Sequence, residues 1–188
     1  MGPRDLMIVA ARALNAAGSR YAVTGSMAAM MYGELRTTTD IDIVVDFGYR
    51  ELSAVLQAFP ESEFYVNRDA ILAAMNNCGQ FNVIAMGTDL EIDFMVVNDD
   101  FYNTVRLERA RVIEVLPHEP VRFSAPEDVI LKKLQFYQQG ESDKHLRDVA
   151  SMIKVSGEDM DREYLDSWAS KLGVAGEWLE MKRRCGWV

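Results

Sequence analysis

The stretch Arg36-Thr37-Thr38-Thr39-Asp40-Ile41-Asp42-Ile43-Val44-Val45-Asp46 decides the reading of this chain. Residues 41–46 are β-branched and apolar apart from their aspartates, the pattern of a strand whose polar side chains share one face. Asp40 and Asp42 stand two residues apart at the start of that strand, so their carboxylates project to the same side. Two carboxylates held that close repel each other unless a cation lies between them, and together they can share a divalent ion. Thr38 and Thr39 are expected to hydrogen-bond the turn that presents Asp40. Asp46 falls on the same face, at the exposed end of the strand.

Just upstream, Tyr21-Ala22-Val23-Thr24 reads as a short buried strand ended by Gly25-Ser26. Ser26 can cap a helix over residues 27–32, stopped near Gly33. A glycine at a strand-to-helix turn lets backbone approach a phosphate, and the helix start offers unpaired N–H groups with a partial positive charge. The pair Gly25 and Ser26 therefore forms a candidate triphosphate cradle facing the aspartates. Before it, residues Leu6, Val9, Ala10, Ala13, Leu14 and Ala17 make the stripe of an amphipathic helix. Its apolar run is too short, and broken too soon by Arg12, to be a signal peptide.

Downstream, a helical period over residues 51–59 stops at Pro60, and a second short helix covers 68–75. Strands are expected at 80–85 and 90–97, joined through the turn-rich Met86-Gly87-Thr88-Asp89 as a hairpin. Asp93 lies inside the second of these, among largely apolar neighbours where a carboxylate is costly unless paired or metal-bound. If that strand lies beside the Asp40 strand, three carboxylates converge. Further strands are expected at 111–116 and 121–123, around Pro117 and Pro120. From Ala125 onward every pattern is helical, over residues 127–137, 143–154, 162–172 and 175–182, with a charged connection at 141–145. The expected layout is an α/β domain over residues 1–123 followed by a helical domain over 124–188.

With 188 residues, 49% of them apolar, the chain is long enough for one globular domain with a helical appendage. A net charge of −9 argues against broad electrostatic capture of nucleic acid, which calls for a basic face, though a local basic patch remains compatible with it. Cys78 and Cys185 are far apart and outside any CxxC, which supports neither a disulfide scaffold nor structural zinc and fits a reducing cytoplasm. No apolar run approaches the roughly 20 residues of a membrane span, so a soluble protein without a membrane partner is expected.

In this order, the Gly25-Ser26 turn, Asp40-Ile41-Asp42 and a later Asp93 resemble the pattern of the DNA polymerase β nucleotidyltransferase superfamily. The chain resembles most a bacterial family of stand-alone nucleotidyltransferase-like proteins. The matching stretches include Val23-Thr24-Gly25-Ser26-Met27-Ala28, Arg36-Thr37-Thr38-Thr39-Asp40-Ile41-Asp42-Ile43-Val44, Ala125-Pro126-Glu127-Asp128-Val129-Ile130-Leu131 with Lys133-Leu134, and Arg147-Asp148-Val149. More distantly it resembles the abortive-infection (AbiE-type) toxins, which share a C-terminal Lys and Asp.

The resemblance implies a minimal nucleotidyltransferase fold, α/β (α+β), with a mixed sheet flanked by helices. It implies a cytoplasmic, metal-binding transferase that uses magnesium, with two ions, to move NMP from an NTP such as ATP to a hydroxyl on RNA, protein or a small molecule. Asp40 and Asp42 would bridge the metals and the triphosphate, and Asp93 would hold the catalytic metal and help deprotonate the acceptor. Arg36 is expected either to reach a triphosphate oxygen or to pair with an aspartate. Lys133, with Arg147 and Asp148, is expected either to close over the nucleotide or to form an interhelical salt bridge. The alternative function is a catalytically silent nucleotide-binding or toxin-antitoxin module, with a protein partner or a second copy of the chain. His145 reads as a surface histidine, Trp168, Trp178 and Tyr164 as core, and Met27, Met30 and Met31 as core filling.

Overall fold

In the computed structural model, residues 1–97, 100–140 and 142–187 are described. The chain divides into two compact units, Met1–Met27 with Thr37–Ser124 and Ala28–Arg36 with Ala125–Val188. The first holds α1 (Pro3–Ala16), β1 (Tyr21–Val23), the start of α2 (Gly25–Tyr32), β2 (Asp40–Val45), α3 (Tyr49–Ala58), β3 (Phe64–Val66), α4 (Arg68–Asn77), β4 (Gln80–Ala85), β5 (Glu91–Val96), α5 (Phe101–Glu108), β6 (Arg111–Leu116) and β7 (Glu119–Phe123). Among the described residues the strands form one mixed sheet in the order β3-β4-β5-β2-β1-β7-β6.

Alternation decides which face of this sheet is core. Ile41, Ile43 and Val45 of β2 are buried, as are their neighbours Ile92 and Phe94 on β5 and Phe81 and Val83 on β4. Phe47, Phe81 and Phe94 close this layer, with Phe81 stacked on Phe94 at 4.9 Å and Phe47 edge-on to Phe81 at 5.1 Å. The opposite face carries the aspartates. At its inner end Leu107 of α5 packs with Ala22 and Val44.

β4 and β5 form the expected antiparallel hairpin, Phe81 opposite Phe94 and Val83 opposite Ile92. Pro120 sits inside β7, which begins two residues earlier than the sequence suggests. A register shift against β6, between Glu114 and Leu116, relieves the ladder where proline has no N–H to give.

The second unit contains α6 (Pro126–Gly140), α7 (Asp143–Ser156), a 3₁₀ turn (Gly157–Asp159), α8 (Arg162–Lys171) and α9 (Ala175–Arg184), together with Ala28–Arg36. Leu134, Val149, Met152, Leu165, Trp168, Trp178 and Met181 are among its buried side chains, so Trp168 and Trp178 are core as expected. Tyr164 is half-buried, and its hydroxyl donates to Asp128 at 2.7 Å. The expected charged connection at 141–145 is shorter than its charges suggest, because Asp143, Lys144 and His145 already belong to α7; Glu141 lies outside the described residues. His145 is half-buried against Phe136, ring centroids 5.8 Å apart, and burial holds its imidazole below its ordinary pKa. The methionines of α2 do not fill the core: Met31 is exposed, Met27 and Met30 are half-buried, and the buried positions go to Ala28, Ala29 and Tyr32. Among the described residues no helix is long and apolar enough to cross a membrane.

Candidate active site

β2 and β5 run side by side and parallel, with Asp42 in register with Asp93 and Asp40 in register with Glu91. Adjacent strands lie about 4.8 Å apart, so Asp42 and Asp93 are lateral neighbours and Asp40 follows on the same face. β5 lies beside β2, so Asp40, Asp42 and Asp93 share one face of the sheet, and a fourth carboxylate, Glu91, stands beside Asp40. Glu91 carried the same signal as Asp40, an acid two residues from an aspartate on a strand, but the sequence reading did not apply that spacing to β5.

Asp40 is exposed, and Asp42, Glu91 and Asp93 are half-buried. Thr39 Oγ1 donates to Asp40 Oδ1 at 3.0 Å, a bond to the carboxylate itself rather than to the turn before it. Asp46 lies just past the strand and is ion-paired with Arg20 at 2.6 Å. The Asp93 carboxyl is pushed up to about 6, first by burial and then by the charges of Glu91, Asp42 and Asp40.

Gly25 begins α2 with φ +60, so the helix starts two residues before the expected position. A Cβ on Gly25 would overlap the carboxylate of Asp42. Glycine is therefore required there twice, for a left-handed backbone and for space. The main-chain N–H of Thr24 donates to the Asp42 carbonyl at 2.8 Å, which ties this turn to β2. Ser26 is buried in the first turn. The arrangement sets a helix start directly against one of the paired carboxylates.

The donors suit a hard divalent cation: carboxylate oxygens from two adjacent strands, beside a turn that leaves no side chain in the way. Among the described residues no three acidic, histidine or cysteine side chains close around a point as they stand. Like charges on neighbouring strands repel each other, and a bound cation removes that repulsion.

Arg36 and Lys133 belong to the second unit, and there both converge on Asp148. Lys133 Nζ donates to Asp148 Oδ2 at 2.6 Å, and Arg36 makes a two-pronged contact with both Asp148 oxygens at 3.1 Å. Lys133 is buried and Asp148 nearly so. Burial pushes the Asp148 carboxyl up, but the hydrogen bonds and charges of Arg36 and Lys133 more than offset it and hold it below the usual carboxylate range. Of the two roles open to Lys133 from the sequence, the interhelical salt bridge between α6 and α7 is present. Replacing Lys133 by methionine is expected to destabilise the helical unit by about 3 kcal/mol, because a desolvated carboxylate loses a partner it cannot replace from water. Urea unfolding followed by tryptophan fluorescence measures this, since Trp168 and Trp178 lie in the same unit.

No protein-family profile matches the chain, and no curated protein sequence matches it. Solved structures do share its fold. One is an antigenic nucleotidyltransferase-like protein from Paracoccidioides brasiliensis, 21% identical, with a TM-score of 0.54 over 81% of this chain and 75% of that one. Another is ANT(2'')-Ia in complex with adenylyl-2''-tobramycin, 13% identical, with a TM-score of 0.56 over 89% of this chain and 95% of that one. The solution structure of the same antibiotic-resistance factor aligns at a TM-score of 0.56 and 15% identity over 96% of this chain and 99% of that one. The protein has the α/β fold of nucleotidyltransferases, as its sequence pattern leads one to expect.

Proposed function

We propose that this protein is a magnesium-dependent nucleotidyltransferase that moves a nucleoside monophosphate from an NTP to an acceptor hydroxyl. The observation that carries the reading is the register of Asp42 beside Asp93 on adjacent parallel strands, with Gly25 cut back to hydrogen against Asp42. The shared fold of ANT(2'')-Ia, solved with an adenylylated product, supports the same reaction class.

Asp40, Asp42 and Asp93 would hold the magnesium ions. When bound, magnesium supplies neutralisation of triphosphate charge and a lowered pKa for the acceptor hydroxyl. The protein's own groups do the rest. Main-chain N–H groups at the α2 start face the triphosphate, and Ser26 stands in that first turn. The Asp93 carboxylate, on the flank of Asp42 away from the Gly25 turn, takes the acceptor's proton. The acceptor oxygen bonds to the α-phosphorus, the bond from that phosphorus to the bridging oxygen breaks, and pyrophosphate leaves with the electron pair. Arg36 and Lys133 enter this proposal through Asp148, as the cations that set the packing of α7 in the second unit.

The test is incubation with each α-labelled NTP, magnesium and a lysate. Label is expected on an acceptor with the wild type, and the Asp42→Asn variant is expected to lose at least about 10³-fold of the transfer, as loss of a group that stabilises the transition state does. Transfer that persists undiminished in Asp42→Asn overturns the reading.

A further inference from the structure

A cavity of about 340 Å³ opens in the helical unit between α7 and the segment that precedes β2, and every residue lining it belongs to that unit. Its wall includes Arg36, Lys144, Arg147, Asp148 and Ser151, with Leu35, 88% exposed, at the rim. The wall is held together by specific bonds. A Cβ on Gly33 would stand 2.7 Å from Ser151 Oγ, so only glycine lets the segment lie down on α7. There the Glu34 N–H donates to Ser151 Oγ at 2.6 Å, Lys154 pairs with Glu34 at 2.7 Å, and Arg36 grips both Asp148 oxygens.

Both carboxylates of the cavity are thereby committed, Glu34 to Lys154, and Asp148 to Arg36 and Lys133. Lys144 and Arg147 are not. Among the described residues neither has a carboxylate at ion-pair distance, Asp143 one turn before Arg147 included. Lining side chains and their ion-pair partners together comprise five cations (Arg36, Lys133, Lys144, Arg147, Lys154) and two carboxylates (Glu34, Asp148), a surplus of three positive charges in a chain of net charge −9. Lys144 also stands in the first turn of α7, at the positive end of the helix dipole, where a cation is unfavourable. Neighbouring His145 registers the same field: after burial, the charges of Lys133 and Lys144 hold its imidazole below its ordinary pKa against the opposing pull of Asp148. Like charges three residues apart on one helix face destabilise it, and an anion between them removes that cost.

We infer that this cavity is a phosphate-binding site of the helical unit, and that its ligand is a small phosphate monoester, separate from any nucleotide at the Gly25 turn. A surplus of three charges suits a dianion better than a single carboxylate, and guanidinium, ammonium and hydroxyl donors match the three terminal oxygens of a monoester. With Glu34 and Asp148 committed, neither is left to take magnesium, so the cavity suits a metal-free monoester rather than the magnesium complex of a triphosphate. Its volume lies near the lower end of small-molecule sites, roughly 300–1,000 Å³, and Leu35 offers an apolar contact to the body of the ester.

The experiment is NMR titration of the full chain, without magnesium, with three probes built on one sugar ring: glucose 6-phosphate, glucuronate and glucose. Glucose 6-phosphate is expected to bind at least about tenfold more tightly than glucuronate, the equivalent of about 1.4 kcal/mol, and glucose more weakly still. Lys144→Gln and Arg147→Gln are each expected to weaken the phosphate several-fold. Arg183→Gln, which removes an exposed cation of α9 outside the cavity, is expected to leave it unchanged. Equal binding of the two anions, phosphate binding untouched by both Lys144→Gln and Arg147→Gln, or an equal loss in Arg183→Gln overturns the inference. A non-hydrolysable ATP analogue with magnesium is then added to saturation, and glucose 6-phosphate is expected to stay bound. Its displacement would give the cavity to the nucleotide and overturn the separate site, whereas failure of the analogue to bind the wild type counts against the nucleotidyltransferase reading alone.

Discussion

Asp93→Asn is expected to abolish nucleotidyl transfer, by at least about 10³-fold, while making the metal-free protein more stable at neutral pH. The two effects share one cause. Asp93 is held at about 6 because its ionised form is desolvated and crowded by Glu91, Asp42 and Asp40. Its folded pKa thus lies above the ordinary 3.8. A raised carboxyl contributes stability that is fully present below about pH 4 and is lost as pH rises through about 6. In the wild type without metal, thermal stability should therefore increase as the pH is brought down from 7.5 to 5. In Asp93→Asn that slope should be weaker, and the melting temperature at pH 7.5 higher by about 2–4 °C, the shift that roughly 1 kcal/mol produces in a chain of this size. The figure is modest because Asp93 is only half-buried and water screens part of the repulsion. Added magnesium should stabilise the wild type more strongly at pH 7.5 than at pH 5, since protons compete for the same oxygens. A wild-type melting temperature that falls between pH 7.5 and 5, measured without divalent ions, would refute this account of the cluster.

Gly25→Ala is the second change with a large expected effect. The methyl group would occupy the space of the Asp42 carboxylate, and the backbone at φ +60 disfavours any L side chain. Relief requires either Asp42 to swing out of register with Asp93 or the first turn of α2 to unwind. Each outcome separates the helix start from the carboxylates. Nucleotide affinity should fall by at least about tenfold and stability by about 1–3 kcal/mol, the range for strained backbone at such positions. Calorimetry with an ATP analogue and magnesium measures the first, and urea unfolding the second. Ser26→Ala is the contrast: it leaves the backbone path intact, so a comparable loss in that variant would show that the side chain rather than the turn carries the effect.

Much of this site is legible from local sequence, and what is not depends on partners distant in the chain. Asp40 and Asp42 share a face because strand side chains alternate, and Gly25 signals a turn by its lack of a side chain; both inferences need only a few consecutive residues. The pairing of β2 with β5 could be expected only conditionally, because strand neighbours are chosen by packing. β3 escapes notice because three residues carry too little alternation to register. Helix α5 escapes because Phe101-Tyr102-Asn103-Thr104-Val105 is poor helix-forming sequence; its start is secured by Asp100, which accepts from the Asn103 N–H at 2.8 Å. Arg36 reads as a companion of the aspartates that follow it, yet its guanidinium is held by Asp148, 112 positions away. No local pattern announces such a partner.

The membership of Ala28–Arg36 in the helical unit bears on how the gene can be cut. A single stop after Ser124 would yield a sheet unit carrying an orphaned insert. Within that insert the Tyr32 carbonyl would lose the Ser156 hydroxyl, the Glu34 N–H would lose Ser151, and Arg36 would lose Asp148. The complementary fragment, expressed alone, would expose Lys133 and Asp148 without the arginine that completes their charge balance. Because the polypeptide passes between the units at 27–28, 36–37 and 124–125, the two are topologically interleaved in sequence. Inheritance of either unit by itself would therefore require excision of an internal segment, residues 28–36 or 37–124, in addition to a simple break.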